Sequence, residues 1–209
     1  MKIVLADISK PMVEAWKEAF ADVEMNPSIE FVFHSGSIFE NPCDAIVSPA
    51  NSFGFMNGGI DYFLSEELGW HVMDRVQQKI KDEFDGELLV GQSLIVPTDH
   101  KDFPYLISAP TMRVPLTLAG PNRMSINVYL AARAIFLALK KNPQIKSVAI
   151  PGLGTGVGSV PAEECARKMR MAYDDFYLDK NVFPKTLSAA SHKHDDQTKV
   201  QQINGTEAL

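Results

Sequence analysis

The chain has 209 residues, of which 45% are hydrophobic and 22% are charged, an ordinary composition for a globular protein with one sizeable core. Its formal net charge of −6 argues against a protein that wraps nucleic acid over its whole surface, but not against a local site for one small anion. The sequence has neither the ~18–20 uninterrupted apolar residues of a membrane span nor a secretory signal pattern. We therefore expect a cytoplasmic protein with no membrane partner.

Cysteine is too scarce to organise the fold. The chain has two, Cys43 and Cys165, with no CxxC and no histidine at ligand spacing. A disulfide framework and a structural zinc site are both disfavoured by this pattern. We expect no bound metal and no cofactor.

In chain order, the first half alternates short apolar strands with amphipathic helices. Strands are predicted at residues 2–6, 29–33 and 45–47, with a helix that begins near Ser9 ahead of Pro11. A long helix is predicted over residues 61–84, with Asp61 as its N-cap.

The second half continues the alternation. Strands are predicted at residues 93–96, 105–109 and 147–150, and helices at about 122–141 and 162–177. Buried strands that alternate with amphipathic helices predict an α/β fold, with helices on both faces of a largely parallel or mixed sheet.

The last part of the chain differs in composition. After Pro184 almost no large apolar side chain occurs, so the segment buries too little to offset its ordering entropy. We expect one domain over residues 1–184 and a disordered tail over residues 185–209.

Two glycine-dense segments come directly after buried strands and precede helices. They are SPANSFGFMNGGID at residues 48–61 and PGLGTGVGS at residues 151–159. Glycines let the backbone approach a ligand closely, and free N–H groups next to a helix N-terminus form an anion site. Tight turns alone do not need so many glycines. Two such loops side by side therefore predict a site that binds a diphosphate from both sides.

The common phosphate motifs do not fit these segments. No G-x-x-x-x-G-K-[ST] string occurs, which removes the P-loop. Gly152 and Gly154 begin a dinucleotide fingerprint, but Val157 stands where its third glycine belongs.

The two segments resemble the two signatures of the macrodomain family. SGSIFENPCDAIVSPANSFGFMNGGID resembles the first, and GLGTGVGSVP at residues 152–161 resembles the diphosphate loop that forms the second. The resemblance covers about residues 30–180 and implies a three-layer α/β/α fold around a mixed sheet. Macrodomains bind ADP-ribose, and a subset remove ADP-ribose from proteins or small molecules.

The resemblance also implies roles for individual residues. Asn51 matches the residue that contacts the distal ribose, and Asp61 the acidic residue that acts near the scissile carbon in hydrolytic members. A late aromatic residue that packs near the adenine or the distal ribose has no clear match, with Phe176 or Tyr177 as candidates. The predicted ligand-binding positions are Ser37, Ile38, Ala50, Asn57, Gly58, Gly59, Gly152, Gly154, Thr155, Gly156, Val157, Gly158 and Phe176.

The chain departs from the family pattern at the base and ribose positions. Ser37 stands where the family has an adenine-reading Asp, so the usual charge is missing there. Phe53 and Phe55 add bulky apolar groups beside the ribose site. The chain is therefore a divergent match to the family.

Three functions remain open from the sequence. One is metal-independent hydrolysis of an ADP-ribosyl bond, with Asn51 and Asp61 as the catalytic residues. Another is a non-catalytic binding module for ADP-ribose or a related nucleotide signal. A third is an ADP-ribose phosphate-ester phosphatase that uses His34. The expected partner is ADP-ribose or an ADP-ribosylated substrate, and nucleic acid is expected as a partner only if it is itself ADP-ribosylated.

The placement of the diphosphate also predicts the effect of one substitution. We expect Gly154→Val to block the diphosphate while leaving the fold intact.

Overall fold

A six-stranded mixed sheet forms the centre of the protein in this computed structural model, which describes residues 1–23, 28–120 and 125–199. The spatial order is β2-β1-β6-β3-β5-β4; only β4, at one edge, is antiparallel to its neighbour. The strands are β1 (Lys2–Asp7), β2 (Glu30–Ser35), β3 (Ala45–Ser48), β4 (Leu94–Pro97), β5 (Tyr105–Ser108) and β6 (Ser147–Ile150).

Helices cover both faces of the sheet. They are α1 (Lys10–Ala19), α2 (Gly59–Leu68), α3 (His71–Glu83), α4 (Asn127–Lys141), α5 (Ala162–Ala172) and α6 (Leu187–Thr198). Along β1, Ile3 and Leu5 pack with the cluster that α1, α4 and α5 bury, while Val4 and Ala6 pack with the cluster under α2 and α3. This period-two alternation confirms the predicted three-layer α/β/α fold.

The long helix predicted over residues 61–84 is two helices. Gly69 ends α2 with φ of +94°, a conformation that favours glycine, and α3 begins at His71. Asp61 is not an N-cap, because α2 begins two residues earlier and Asp61 lies in its first turn. The apolar periodicity continues across the break, so periodicity alone could not locate it.

The other two long helices end at the predicted residues, Lys141 for α4 and Tyr177 for the last helix. The predicted start of α4 near residue 122 lies outside the described residues. The last long helix changes at Tyr173 into a π-helical turn, Tyr173–Tyr177.

The segment after Pro184 contains a helix, contrary to the disordered tail expected there. Thr186 caps α6, since its hydroxyl accepts a hydrogen bond from the Ala189 amide at 3.1 Å. Lys193 of α6 lies 3.1 Å from the carboxylate of Asp175 in the π-helical turn. Polar contacts therefore hold this weakly apolar helix, a type of support that hydropathy does not register. Residues 200–209 lie outside the description, and the boundary at residue 184 stays a prediction.

Within the described residues, no helix is long and apolar enough to span a membrane.

Candidate functional site

A cleft of about 1060 Å³ lies along the edge of the sheet where β1, β3, β5 and β6 end. It lies between the N-terminus of α2 and the loop after β6, so both glycine-dense segments contribute to its walls. Ligands of α/β proteins commonly bind at the carboxyl ends of the strands. Every predicted site residue except Phe176 is among the residues that line this cleft.

Asn51 closes the first loop on itself. Its side-chain oxygen accepts hydrogen bonds from the amides of Phe53 at 3.1 Å and Phe55 at 3.3 Å, and its Nδ2 donates to the Phe55 carbonyl at 2.8 Å. This is the local side-chain-to-backbone bonding for which Asn is common in turns. Asn51 therefore shapes the loop as well as lining the cleft.

Gly58 and Gly59 connect the first glycine-dense segment, residues 48–61, to the N-terminus of α2. Gly58 is extended, with φ of −152°, and a Cβ built there would meet no atom within 4 Å. Gly59 has φ of +58°, which favours glycine. The first-turn amides of α2 lack partners within the helix, as at any helix N-terminus, and together with the helix dipole they favour an anion.

Asp61 is a buried carboxyl in the cleft wall. Its side chain lies in the first turn of α2, the residue is 8% exposed, and its Oδ1 accepts a hydrogen bond from the Ser48 hydroxyl at 2.6 Å. Burial disfavours the charged form and raises the pKa of Asp61 to about 7, although the hydrogen bond from Ser48 acts in the opposite direction. This carboxyl can therefore exchange a proton near neutral pH.

The loop after β6 presents its backbone to the cleft. Within the described residues, the amides of Thr155, Gly156 and Val157 donate no hydrogen bond to the protein. Gly158 is held from the other side, where its carbonyl accepts a hydrogen bond from the Leu118 amide at 2.8 Å. Free consecutive amides of this kind can bind phosphate oxygens.

The end of the cleft nearest β2 contains Ser37 and Ile38. The Ser37 hydroxyl accepts a hydrogen bond from the Phe39 amide at 3.3 Å and caps a short 3₁₀ turn, Ile38–Glu40. Glu40 completes this capping box by accepting a hydrogen bond from the Ser37 amide at 3.2 Å.

The charge of the cleft is negative or neutral. Its carboxyl groups belong to Asp7, Asp61, Glu66 and Glu67, and none of the described residues that line it is Lys, Arg or His. Any anion here must therefore be bound by neutral donors, namely backbone amides, hydroxyls and the side-chain amides of Asn51 and Asn57.

Phe176 does not line the cleft, which corrects its prediction as a ligand-binding residue. It lies in the π-helical turn, with its ring 6.1 Å from that of Tyr129 and under the guanidinium of Arg133 at 4.8 Å. Tyr177, the other candidate, packs on Phe136 instead. An aromatic residue in a late helix is typical of a core as much as of a site, so sequence could not separate the two.

His34, the candidate for phosphatase chemistry, also lies outside the cleft lining. Its Nε2 is 2.9 Å from the Glu40 carboxylate. Within the described residues, no group of three or more His, Cys, Asp or Glu side chains is placed to bind a metal.

Several lining residues were not predicted from sequence. Asp7 ends β1 and Ile8 follows it, Thr111 and Met112 come after β5, and Glu67 belongs to α2. Asp7 could have been found, because it comes directly after a predicted buried strand, the position where such sheets place ligands.

Comparison with known proteins gives one consistent family. Residues 47–169 match the family model described as Macro domain. An uncharacterised protein of Aquifex aeolicus is 37% identical over 134 residues, which cover 64% of this chain and 74% of that protein.

Solved macrodomain structures resemble the fold. A mutant of the Oceanobacillus iheyensis macrodomain with ADPR has a TM-score of 0.59 at 20% identity, covering 69% of this chain and 76% of that one. Thermosipho africanus DarTG in complex with ADP-ribose has a TM-score of 0.53 at 18% identity, covering 66% of this chain and 38% of that one. At these identities the likeness concerns the fold.

Proposed function

The chain belongs to the Macro domain family, and from that premise we propose that it binds ADP-ribose or a close derivative in the cleft at the carboxyl ends of the strands. In this arrangement the diphosphate lies between residues 54–60 and 152–158. The structures of the Oceanobacillus and Thermosipho relatives contain ADPR or ADP-ribose, which supports this ligand class.

The observation that carries the proposal is the pairing of two anion-binding backbones in a cleft without cations. The N-terminus of α2 supplies amides from one wall, and Thr155, Gly156 and Val157 supply free amides from the other. A diphosphate flanked by uncharged nucleoside and ribose groups suits such a site, since each amide contributes a directed hydrogen bond. A ligand with further phosphates would meet the carboxylates of the same cleft.

We further propose that the protein hydrolyses an ADP-ribosyl bond with Asp61 as general base. A pKa of about 7 lies where a carboxyl can accept a proton from water at neutral pH. As Asp61 takes a proton from the water, the water oxygen attacks the anomeric carbon of the distal ribose. The bond to the leaving group breaks, and the leaving group departs with the bonding electron pair and takes up the proton that Asp61 accepted. Asn51 also lines this cleft and orients the ribose in this mechanism.

A binding module without catalysis is the second candidate, and Asn51 favours it. Its side-chain oxygen and one of its amide hydrogens are occupied by Phe53 and Phe55, which leaves it little capacity to position a water. His34 gives no support to the phosphatase hypothesis, since its side chain is paired with Glu40 and does not line the cleft.

Calorimetric titration tests the binding proposal. The full chain is titrated with ADP-ribose, AMP and NAD, and ADP-ribose is expected to bind most tightly, because it alone places both the diphosphate and a free distal ribose in the cleft. No measurable binding of ADP-ribose would contradict the proposal.

Product analysis separates the two candidates. Wild-type protein is incubated with ADP-ribosylated peptides of different linkage and the release of ADP-ribose is measured by mass spectrometry. Release from any of them supports the hydrolase, while tight binding without release from any supports the binding module.

A further inference from the structure

Three aromatic side chains on and just after α2 are exposed beside the cleft. Tyr62 is 41% exposed, Phe63 is 61% exposed and Trp70 is 41% exposed. The Tyr62 ring contacts both of the others edge to face, with centroids 5.6 Å from Phe63 and 5.7 Å from Trp70. Single exposed apolar residues are common on protein surfaces, but a contiguous group of aromatic rings is typical of an interaction site.

This aromatic group is continuous with the cleft. Phe63 lines the cleft, and so do Glu66 and Glu67 one turn further along α2. Tyr62 and Trp70 do not line it, and the Trp70 indole donates a hydrogen bond to the Glu66 carboxylate at 2.8 Å. The rings therefore extend the α2 wall of the cleft outward over the protein surface. We call these five residues the α2 surface.

The α2 surface is acidic as well as aromatic. Between Gly59 and Leu68, α2 contains three carboxyl groups and no Lys, Arg or His. The Glu66 carboxylate accepts its hydrogen bond from a neutral indole, which leaves its charge uncompensated by that contact. The Glu67 carboxylate is 3.9 Å from Nε2 of His100, at the limit of an ion pair.

The basic residues at the start of α3 are paired with another carboxylate. The Arg75 guanidinium lies 2.5 Å from Asp99, and Nε2 of His71 lies 3.8 Å from the same carboxylate. Nε2 of His71 is also 2.9 Å from the Thr98 carbonyl oxygen. Both side chains are therefore directed to the loop after β4 rather than to the carboxylates of the α2 surface.

Arginine and lysine side chains match both properties of the α2 surface. A guanidinium stacks on aromatic rings and forms paired hydrogen bonds with a carboxylate, and an ammonium group also interacts with both. Nucleic acid matches only one of them. Its bases can stack on the rings, but its phosphates would face Glu66 and Glu67, with no basic side chain on α2 to bind them.

We propose that the α2 surface binds a basic peptide segment next to the side chain that carries ADP-ribose. The cleft binds the ADP-ribose, and the α2 surface binds the polypeptide to which it is attached. This inference rests on the proposed binding of ADP-ribose and adds the kind of acceptor that the protein recognises, a polypeptide with Arg or Lys close to the modified residue.

The test compares peptides that differ only in the residues around one modified position. ADP-ribose is joined through a hydrolysis-resistant triazole to peptides whose flanking residues are Arg, Ser or Glu. Each peptide is titrated calorimetrically into the full chain at about 0.15 M salt, with free ADP-ribose as the reference. We expect the Arg-flanked peptide to bind about 10-fold more tightly than the Ser-flanked one, and the Glu-flanked peptide to bind more weakly than both.

Variants assign this preference to the α2 surface. The double variant Tyr62→Ala/Trp70→Ala removes two rings outside the cleft lining, so it should keep its affinity for free ADP-ribose while the preference for Arg falls to within about threefold. Glu66→Gln keeps an acceptor for the Trp70 indole and should also reduce the preference, which keeps the test decisive if the double variant does not fold. Phe183→Ala, which removes a ring outside the cleft lining, and Glu18→Gln on α1 are the matched controls and should keep the full preference.

The outcomes separate this inference from the binding proposal. Wild-type protein that binds free ADP-ribose but binds the three peptides equally overturns the inference alone. The same holds if either folded variant of the α2 surface keeps the preference, or if the matched controls lose it. An ADP-ribosylated oligonucleotide that binds more tightly than the Arg-flanked peptide overturns the inference in favour of nucleic acid. Wild-type protein that does not bind free ADP-ribose contradicts the proposed function, and the inference with it.

Discussion

The two glycine-dense loops look alike in sequence, yet they use their glycines differently. In the loop after β6, a Cβ at Gly158 would lie 2.4 Å from the Gly154 carbonyl oxygen, and one at Gly154 would lie 3.1 Å from Leu118. At Gly58, before α2, a Cβ would meet no atom within 4 Å, and the same holds for Gly156. Some glycines are therefore required by the protein itself, and others leave space for a ligand.

The helices that begin after the two loops also differ. The first turn of α2 places Asp61 in the cleft wall. The first turn of α5 contains Glu164, which is paired with Arg167 at 2.7 Å and does not line the cleft. Both loops present backbone to the cleft, but of these two first turns, both among the described residues, only that of α2 places a carboxyl with a raised pKa in the cleft wall.

The largest expected effect is the loss of stability in Gly154→Val, the opposite of what the sequence suggests. Gly154 has φ of +71° and its Cβ would point at Leu118, Val128 and Val160 in the core, not at a ligand. Strain and overpacking together should lower the free energy of unfolding by about 2–5 kcal/mol. Urea unfolding measures this, and a variant as stable as wild type would show that this glycine is not structural.

Comparable in size is the effect of Asp61→Asn on turnover. If the protein is a hydrolase, the variant should lose about 10²–10⁴-fold in kcat, because the amide cannot accept the proton from water. ADP-ribose affinity should change far less, since backbone amides bind the diphosphate. Single-turnover assays at pH 7, with calorimetry as the control, measure both quantities. Unchanged turnover would remove Asp61 from the mechanism.

The same variant should alter the pH dependence of stability. The pKa of Asp61 is raised on folding, from an ordinary value near 3.8 to about 7, so the folded state binds the extra proton between these values. Stability from this group is therefore full below about pH 4 and is lost as the pH rises through 7. Asp61→Asn should match wild type near pH 4 and exceed it at pH 8; a constant difference would contradict the buried placement.

Gly58→Val and Gly156→Val test whether the space beside these two glycines is occupied by the ligand. Their Cβ atoms meet no protein atom within 4 Å and both residues line the cleft, so ADP-ribose affinity should fall at least about 10-fold while stability changes by less than about 1 kcal/mol. Calorimetry and thermal melts give the two values. Glu18→Val on the exposed face of α1 is the control for added apolar surface. Unchanged affinity in both folded variants would reject the placement of the diphosphate.

Sequence predicts the strands and the two loops well because their signals are local. Buried runs such as residues 45–47 and the glycine spacing at 152–158 need no tertiary information. What sequence could not give depends on contacts far apart in the chain. Burial raises the pKa of Asp61, and this burial arises only when the chain has folded. The hydrogen bond from the Gly152 amide to the Asp7 carboxylate likewise forms only when β1 and β6 lie side by side. The direction of the Gly154 Cβ likewise depends on Leu118 and Val128.

The smallest expected effect comes from ending the chain at Lys185, which removes α6 but neither loop. Arg167 donates to the Asp196 and Lys199 carbonyls at 3.1 and 3.2 Å, and Lys193 lies 3.1 Å from Asp175, so the shortened chain loses a few polar contacts around α5. Because exposed ion pairs and hydrogen bonds each contribute little, the free energy of unfolding should fall by only about 1 kcal/mol. ADP-ribose affinity should stay unchanged, since no residue of α6 lines the cleft. Urea unfolding and calorimetry on the same preparation measure both, with Lys193→Ala in the full chain as the milder control. A clear loss of affinity in the shortened chain would show that this segment supports the site as well as the fold.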